Sequence, residues 1–216
     1  MSEALVLFSG GQDSTICLFW AKKMFSKVRT VSFEYGQRHW EQEKAAQDII
    51  SKSAEVEKHF LPIYAFQLIG GSALTGEGEV SDSWRGLPAS FVPGRNAVML
   101  SLAASLAYTL KINNLVGGMC ETDYSGYPDC RREFIDAMEE ALSFGLQYRI
   151  NIYTPLMRLT KAESIKLAMT FPQCYEALAH SHTCYEGVRP PCGECPACKL
   201  RAKGFKEAGV KDPIYD

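Results

Sequence analysis

Two strings in this sequence carry residue types and spacings that can do chemistry. The first is Ser9-Gly10-Gly11-Gln12-Asp13-Ser14, directly after the apolar run Ala4 to Phe8. Paired glycines let a backbone approach an anion closely, and a helix start offers free N–H groups and the positive end of a dipole. Ser9 and Ser14 add hydroxyl donors, so the chemistry suggested is phosphate binding. Neither G-x-x-x-x-G-K-[ST] nor G-x-G-x-x-G occurs here, which argues against a Walker loop and a dinucleotide loop. The competing reading is a plain strand-to-helix turn capped by Asp13 or Ser14.

The second string is Cys184-x7-Cys192-x2-Cys195-x2-Cys198, half of the eight cysteines in the chain. Four thiolates close a tetrahedral zinc shell and leave no position for water, so a metal here would be structural. Gly187 and Gly193 supply turns, and Pro190, Pro191 and Pro196 stiffen them. Zinc is favoured over an iron–sulfur cluster, which four cysteines could also hold. Neighbours at i, i+3 are awkward to cross-link, so a disulfide framework is disfavoured. His180 and His182 lie near enough to substitute as ligands, but with four cysteines present they read as surface or supporting residues.

The elements that must position these strings alternate. Ala4 to Phe8 reads as a strand buried on both faces and Ser14 to Met24 as a helix. Val28 to Phe33 is a second strand. Trp40, Ala45, Ile49 and Ile50 give residues 38–53 helical spacing, and Glu57 to Leu61 is a third strand. Residues 62–93 show little periodicity. Asn96 to Leu110 is a helix almost apolar enough to be the central packing element. Leu115 to Gly118, Arg131 to Leu142, Ile150 to Tyr153 and Lys161 to Met169 continue the alternation. That order predicts an α/β fold, a doubly wound parallel five-stranded sheet with helices on both faces, whose ligands sit at the carboxyl ends of the strands. The shift to Cys, Gly and Pro near residue 180 predicts a catalytic domain over 1–178 and a small zinc-binding extension over 179–216.

Composition narrows the function classes. With 216 residues, 46% hydrophobic and 22% charged, the chain is long enough for one core and too apolar to be disordered. Its formal charge of -2 lacks the basic excess of a non-specific nucleic-acid binder, so no stable nucleic-acid partner is expected. Lys199, Arg201, Lys203, Lys206 and Lys211 cluster modestly, as a solvated helix face would. No apolar stretch is long enough for a membrane helix, and the opening residues are unlike a signal peptide, so a cytoplasmic protein without membrane contact is expected.

The complete string S-G-G-x-D-S after an N-terminal apolar strand resembles the PP-loop of the ATP pyrophosphatase superfamily, whose members cleave ATP between the α- and β-phosphates and adenylate a substrate. Further strings sharpen the likeness: Tyr35-Gly36-Gln37-Arg38, Pro93-Gly94-Arg95-Asn96, Asp123-Tyr124-Ser125-Gly126-Tyr127-Pro128-Asp129-Cys130-Arg131, Leu159-Thr160-Lys161-Ala162-Glu163 and Asp212-Pro213-x-Tyr215. With the cysteines they resemble, in order from about residue 4 to residue 215, the 7-cyano-7-deazaguanine synthase family. The resemblance implies an adenine-nucleotide hydrolase-like fold and ATP-dependent conversion of 7-carboxy-7-deazaguanine and ammonia to the nitrile preQ0 for queuosine-type nucleosides. It implies ATP, Mg2+ and Zn2+ as cofactors and a homodimer. It also implies a nucleotide-binding segment of Phe8, Ser9, Gly10, Gly11, Gln12, Asp13, Ser14, Thr15, Ile16, Cys17 and Leu18.

Roles for other residues follow from their chemistry. Asp13 suits magnesium or loop orientation better than base catalysis, because an anion would repel phosphates. Arg95 suits the α-phosphate or its developing charge, against a surface salt bridge. Lys161 at a helix start opposes the dipole, which a nearby phosphate would explain as well as solvation does. Asp123 and Asp129 could read the donors of a guanine-like edge, Tyr124 or Tyr127 could stack on the base, and Arg131 belongs to the same substrate-binding string. Turn-forming roles are equally open for these residues, and Cys130 reads as packing. Three other functions remain open at this point. One is a PP-loop enzyme that adenylates tRNA, and another a ligase using a different amine. The third is a zinc-stabilised nucleotide sensor without turnover.

Overall fold

The computed structural model describes residues 2–76, 83–84, 86–122 and 126–215. β1 (Glu3–Leu7) leads into α1 (Gln12–Met24), β2 (Lys27–Glu34) into α2 (Trp40–Ser53), and β3 (Glu57–Pro62) into the short α3 (Ala65–Ile69). An antiparallel pair, β4 (Ser83–Trp84) and β5 (Leu87–Pro88), precedes α4 (Arg95–Leu110) and β6 (Asn114–Val116). Then come α5 (Arg132–Leu146), β7 (Asn151–Tyr153), α6 (Lys161–Ala168), α7 (Cys174–Leu178) and α8 (Pro196–Ala208).

β1, β2, β3, β6 and β7 form one parallel sheet in the order β3-β2-β1-β6-β7, as the alternation predicts. Strand side chains point alternately to opposite faces, and both faces are covered. Leu5, Val31, Leu115 and Ile152 join the core beneath α4 and α5. Ala4, Val6, Val28 and Val116 join the core shared with α1, α2 and α6. Leu5 is fully buried, so truncating it to alanine would cost about 2–5 kcal/mol. The chain builds outward from β1 to β3 and then returns to β6 on the other side of β1. The topological switch therefore lies between β1 and β6, and that is where a ligand crevice opens in such sheets.

Three features depart from the sequence reading. α4 is buried along one face only, through Leu100, Ala103, Ala104 and Ala107, while Val98 and Tyr108 are exposed. The small alanines let its backbone lie close to the sheet, so apolar composition overstated its burial. Residues 62–93 hold α3 and the β4–β5 pair, elements too short to show a period. Arg201 is no member of a solvated basic face. It is buried and donates to both carboxylate oxygens of Asp212 at 2.7 and 2.8 Å, to Ser181 Oγ and to Leu178 O. This network fixes the Asp212-Pro213 string against the cysteine-bearing segment. Gly204 of α8 packs so tightly on α6 that an added Cβ would stand 2.7 Å from Lys161 Cβ. Phe205 enters the same core as α1, which docks the segment on the sheet domain.

Candidate active site

α1 begins at Gln12 with Gly11 as its N-cap, and no side chain caps it. The capped-turn reading of Asp13 and Ser14 therefore does not hold. Both sit within the first turn. Every carbonyl from Phe8 to Gly11 is held by a protein donor. Ser32 Oγ donates to Phe8 O at 2.7 Å, Gln47 Nε2 to Ser9 O at 3.2 Å and the His182 N–H to Gly10 O at 2.9 Å. Gly11 O accepts from the Thr15 N–H, Thr15 Oγ1 and Ser14 Oγ. With the negative ends of its peptides tied back, the turn meets the crevice with N–H groups, hydroxyls and the helix dipole, an anion-binding arrangement.

Close packing explains the glycines. Gly10 has φ +78°, and a Cβ there would stand 3.0 Å from Glu43 O. A Cβ on Gly118, in the loop after β6, would stand 3.1 Å from Asp13 Cβ. The turn is clamped between α2 and the β6 loop, on the two sides of the switch point.

A cavity of about 840 Å³ opens over the turn. Phe8, Ser9, Gly11, Gln12, Asp13 and Ser14 line one end of it. Of the other residues expected to bind nucleotide, Gly10 backs the loop. Thr15, Ile16, Cys17 and Leu18 are fully buried in α1 beneath it, supporting the turn rather than facing the cavity. Lys161 Nζ lies 2.5 Å from Asp13 Oδ2, while Asp13 Oδ1 is buried without a hydrogen bond. A capping box between Thr160 and Glu163 starts α6 and fixes where Lys161 leaves the helix.

The far end is aromatic. Arg95 is half-buried, with its guanidinium carbon 5.8 Å from the Tyr35 ring and 5.9 Å from the Tyr127 ring, and it donates to Tyr35 Oη at 3.3 Å. Among the described residues no carboxylate forms an ion pair with it, so the surface salt-bridge reading fails. Tyr185 also lines this end, and burial pushes its hydroxyl well above the ordinary tyrosine range. Tyr127 is buried, its hydroxyl 2.6 Å from Ser90 Oγ. Asp129 is buried and accepts from the Asn96 N–H at 3.2 Å, capping α4. Its Oδ1 has no partner, and burial raises its pKa. Cys130 packs on the core and also lines the cavity, where Asn96 Nδ2 lies 3.4 Å from its sulfur. Arg131 is exposed at the start of α5, away from the lining. Asp123 and Tyr124 lie outside the described residues.

His39 and Glu43 line the cavity although no sequence signal marked them, and Gln37 buttresses Glu43 from behind. Gln37 folds back so that Oε1 accepts from the Tyr35 N–H at 2.8 Å and Nε2 donates to Glu43 Oε2 at 2.8 Å. Glu43 and His39 face each other across one turn at the start of α2, where His39 stacks on His182. An i, i+4 polar pair on a polar helix reads as a solvent face, whereas Gln37 on Glu43 and the segment around His182 and Gly187 on His39 cover it.

Cys184, Cys192, Cys195 and Cys198 bring their sulfurs within 4.8 Å of one another. The N–H groups of Cys195 and Glu194 donate to Cys192 Sγ at 3.3 and 3.4 Å. These bonds pull its thiol down to about 7 and favour the thiolate that a metal needs. The donor set and its burial fit a structural ion. His182 is no ligand; it is buried with Nε2 2.7 Å from Cys184 O, and His180 is exposed. Among the described residues no helix is long and apolar enough to cross a membrane.

The sequence model of the queuosine biosynthesis protein QueC family matches residues 3–209. A 7-cyano-7-deazaguanine synthase of Chromobacterium violaceum is 51% identical over 99% of this chain and 93% of its own. One from Laribacter hongkongensis is 48% identical over 99% and 94%. Among solved structures, a 4-thiouridine synthetase in complex with RNA and bound ATP superposes with a TM-score of 0.52 at 14% identity, over 96% of this chain and 50% of that one. That likeness concerns the fold alone.

Proposed function

The chain belongs to the QueC family, and from that premise we propose that it is an ATP-dependent 7-cyano-7-deazaguanine synthase acting in queuosine biosynthesis. Its substrates are 7-carboxy-7-deazaguanine, ammonia and ATP. The observation that carries the reading is the turn whose carbonyls from Phe8 to Gly11 are all held back. It opens into the same cavity as the Arg95–tyrosine cage.

A carboxylate is a poor electrophile, and hydroxide is a poor leaving group. In our reading a carboxylate oxygen attacks the α-phosphate and the P–O bond to pyrophosphate breaks, giving an acyl-adenylate. Ammonia then forms a C–N bond as AMP leaves, giving the amide. The amide oxygen attacks the α-phosphate of a second ATP as its pyrophosphate leaves, and loss of two protons and AMP then gives the nitrile. Both activations are in-line attacks on the same phosphate, so one site serves both.

The roles of the side chains are part of the proposal. The N–H groups and hydroxyls between Ser9 and Ser14 bind the triphosphate. Arg95 balances charge growing on the α-phosphate, and its planar fork is permanently charged. Lys161 stabilises the departing pyrophosphate. The unpaired Oδ1 of Asp13 suits Mg2+, which would neutralise triphosphate charge. Tyr127 and Tyr185 line the end of the cavity that takes the deazaguanine ring, and Asp123 and Asp129 read its donor edge. The four cysteines would hold Zn2+ as a structural ion that ties together the turns of the 179–216 extension. A cytoplasmic homodimer using free ammonia, with no stable nucleic-acid partner, completes the reading.

The test is incubation with ATP, Mg2+, ammonium and 7-carboxy-7-deazaguanine. Mass spectrometry is expected to show the nitrile, with AMP and pyrophosphate released. ADP as the sole nucleotide product, or no acid-dependent turnover, would overturn it.

A further inference from the structure

The wall between the phosphate turn and the tyrosine cage is a buried histidine–glutamate pair. His39 precedes α2, and Glu43 stands one turn later; they are only 5% and 9% exposed, yet both line the cavity. His39 Nε2 lies 3.5 Å from Glu43 Oε1, and the other Glu43 oxygen accepts from Gln37 Nε2. His39 Nδ1 is buried with no hydrogen-bond partner. The ring stacks on His182, whose N–H holds Gly10 O of the phosphate turn, and it lies 5.8 Å from the Tyr185 ring of the cage. The pair thus stands where the two ends of the cavity meet.

That junction is where the acyl-adenylate must form, because its phosphate belongs to the turn and its ring to the cage. The next step needs ammonia, but at neutral pH the supply is overwhelmingly ammonium, which has no lone pair. An ammonium entering the cavity needs an anion to draw it in and a base to take one proton. A carboxylate facing one ring nitrogen orients the imidazole and leaves the other nitrogen as the acceptor.

The geometry points to His39 and Glu43 as the ammonium site of this enzyme, with His39 Nδ1 as the base that releases ammonia beside the acyl-adenylate. This rests on the synthase reading above. Ammonium gives one proton to His39 Nδ1. The freed lone pair forms the C–N bond, the C–O bond to AMP breaks, and its electron pair leaves on the phosphate oxygen. The surplus proton on the new nitrogen passes to water, and His39 then returns its own to solvent. His39 is the catalytic residue of this step, and Glu43 positions it.

Hydroxylamine separates this role from a structural one, because it is largely neutral at the assay pH and attacks without a base. In the full-length enzyme, kcat/KM for ammonium (amide plus nitrile) is compared with kcat/KM for hydroxylamine (hydroxamate). His39→Gln is expected to lower the ammonium-to-hydroxylamine ratio by about 100-fold, the scale of general-base catalysis. Glu43→Gln should move it the same way by less, and it provides the reading if His39→Gln does not fold. A loss of packing alone would depress both rates and leave the ratio at its wild-type value, which would overturn the proposal. If wild-type enzyme with the acid released no pyrophosphate, the synthase reading would fall instead.

Discussion

Lys161 Nζ and Asp13 Oδ2 stand 2.5 Å apart although 148 positions separate them in the chain. The contact ties the first turn of α6 to the first turn of α1, so the cation is set beside the phosphate turn by a carboxylate already in it. A lysine alone at a helix start opposes the helix dipole. Paired with Asp13, it is a positive charge whose place beside the turn is fixed by the fold.

Breaking that pair should therefore be felt in catalysis as well as in folding. Lys161→Met is expected to reduce acid-dependent exchange of pyrophosphate into ATP by about 100-fold, comparable to loss of one preorganised donor to a developing charge. Stability should fall by only about 1.5–3 kcal/mol, as for a hydrogen bond to a charged group. If the two residues act as one unit, adding Asp13→Asn to Lys161→Met should lower exchange little further. Additive losses would show that they act separately.

Gly118 tests how closely the turn is held. A Cβ there would crowd Asp13 Cβ at 3.1 Å and Ser14 N at 3.3 Å, both in the first turn of α1. Gly118→Ala should push the phosphate turn outward and weaken ATP binding about 10-fold, since small misplacements of binding groups are costly. Calorimetric titration of ATP would measure this, and an unchanged Kd would mean that the turn yields without loss.

Breaking the four-cysteine site should be felt at the phosphate turn. His182 lies two residues before Cys184, and its N–H holds Gly10 O. Cys198→Ser is expected to abolish stoichiometric zinc in elemental analysis and to weaken ATP binding about 10–100-fold, the usual scale for losses around a metal site. Full zinc content in that variant would show that Cys198 is no ligand. Normal ATP affinity in a zinc-free variant would show that the cysteine segment is mechanically separate from the turn.

What the sequence made legible was local. The apolar β1 run, the glycine bend and the cysteine spacing each announce themselves within a few residues, and the alternation of strands and helices implied the parallel sheet. What stayed hidden depends on distant partners. Arg201 looks solvated until Asp212 and Ser181 bury it. His39 and Glu43 look like a polar helix face until Gln37 and the segment around His182 cover them. The short α7 and α3 have too few residues to display a period, and Gln37 gives no hint that it folds back onto Glu43. Long-range burial of polar groups has no sequence period.

Asp129 should leave a mark on the pH dependence of stability. Burial raises its pKa above the ordinary value of 3.8, outweighing the opposing Asn96 hydrogen bond and the Arg95 charge. The folded chain then holds this proton more tightly than the unfolded chain. Its contribution is most favourable below the unfolded pKa and is lost as pH rises through the folded pKa. Asp129→Asn keeps an oxygen to accept from the Asn96 N–H but carries no charge to desolvate. Its stability relative to wild type should therefore rise as pH climbs above the ordinary carboxylate range, about 4. Urea unfolding of both proteins from that range upward would measure the difference. A relative stability that falls with rising pH would mean that the Arg95 charge outweighs burial. Asp129 would then hold that guanidinium rather than merely cap α4.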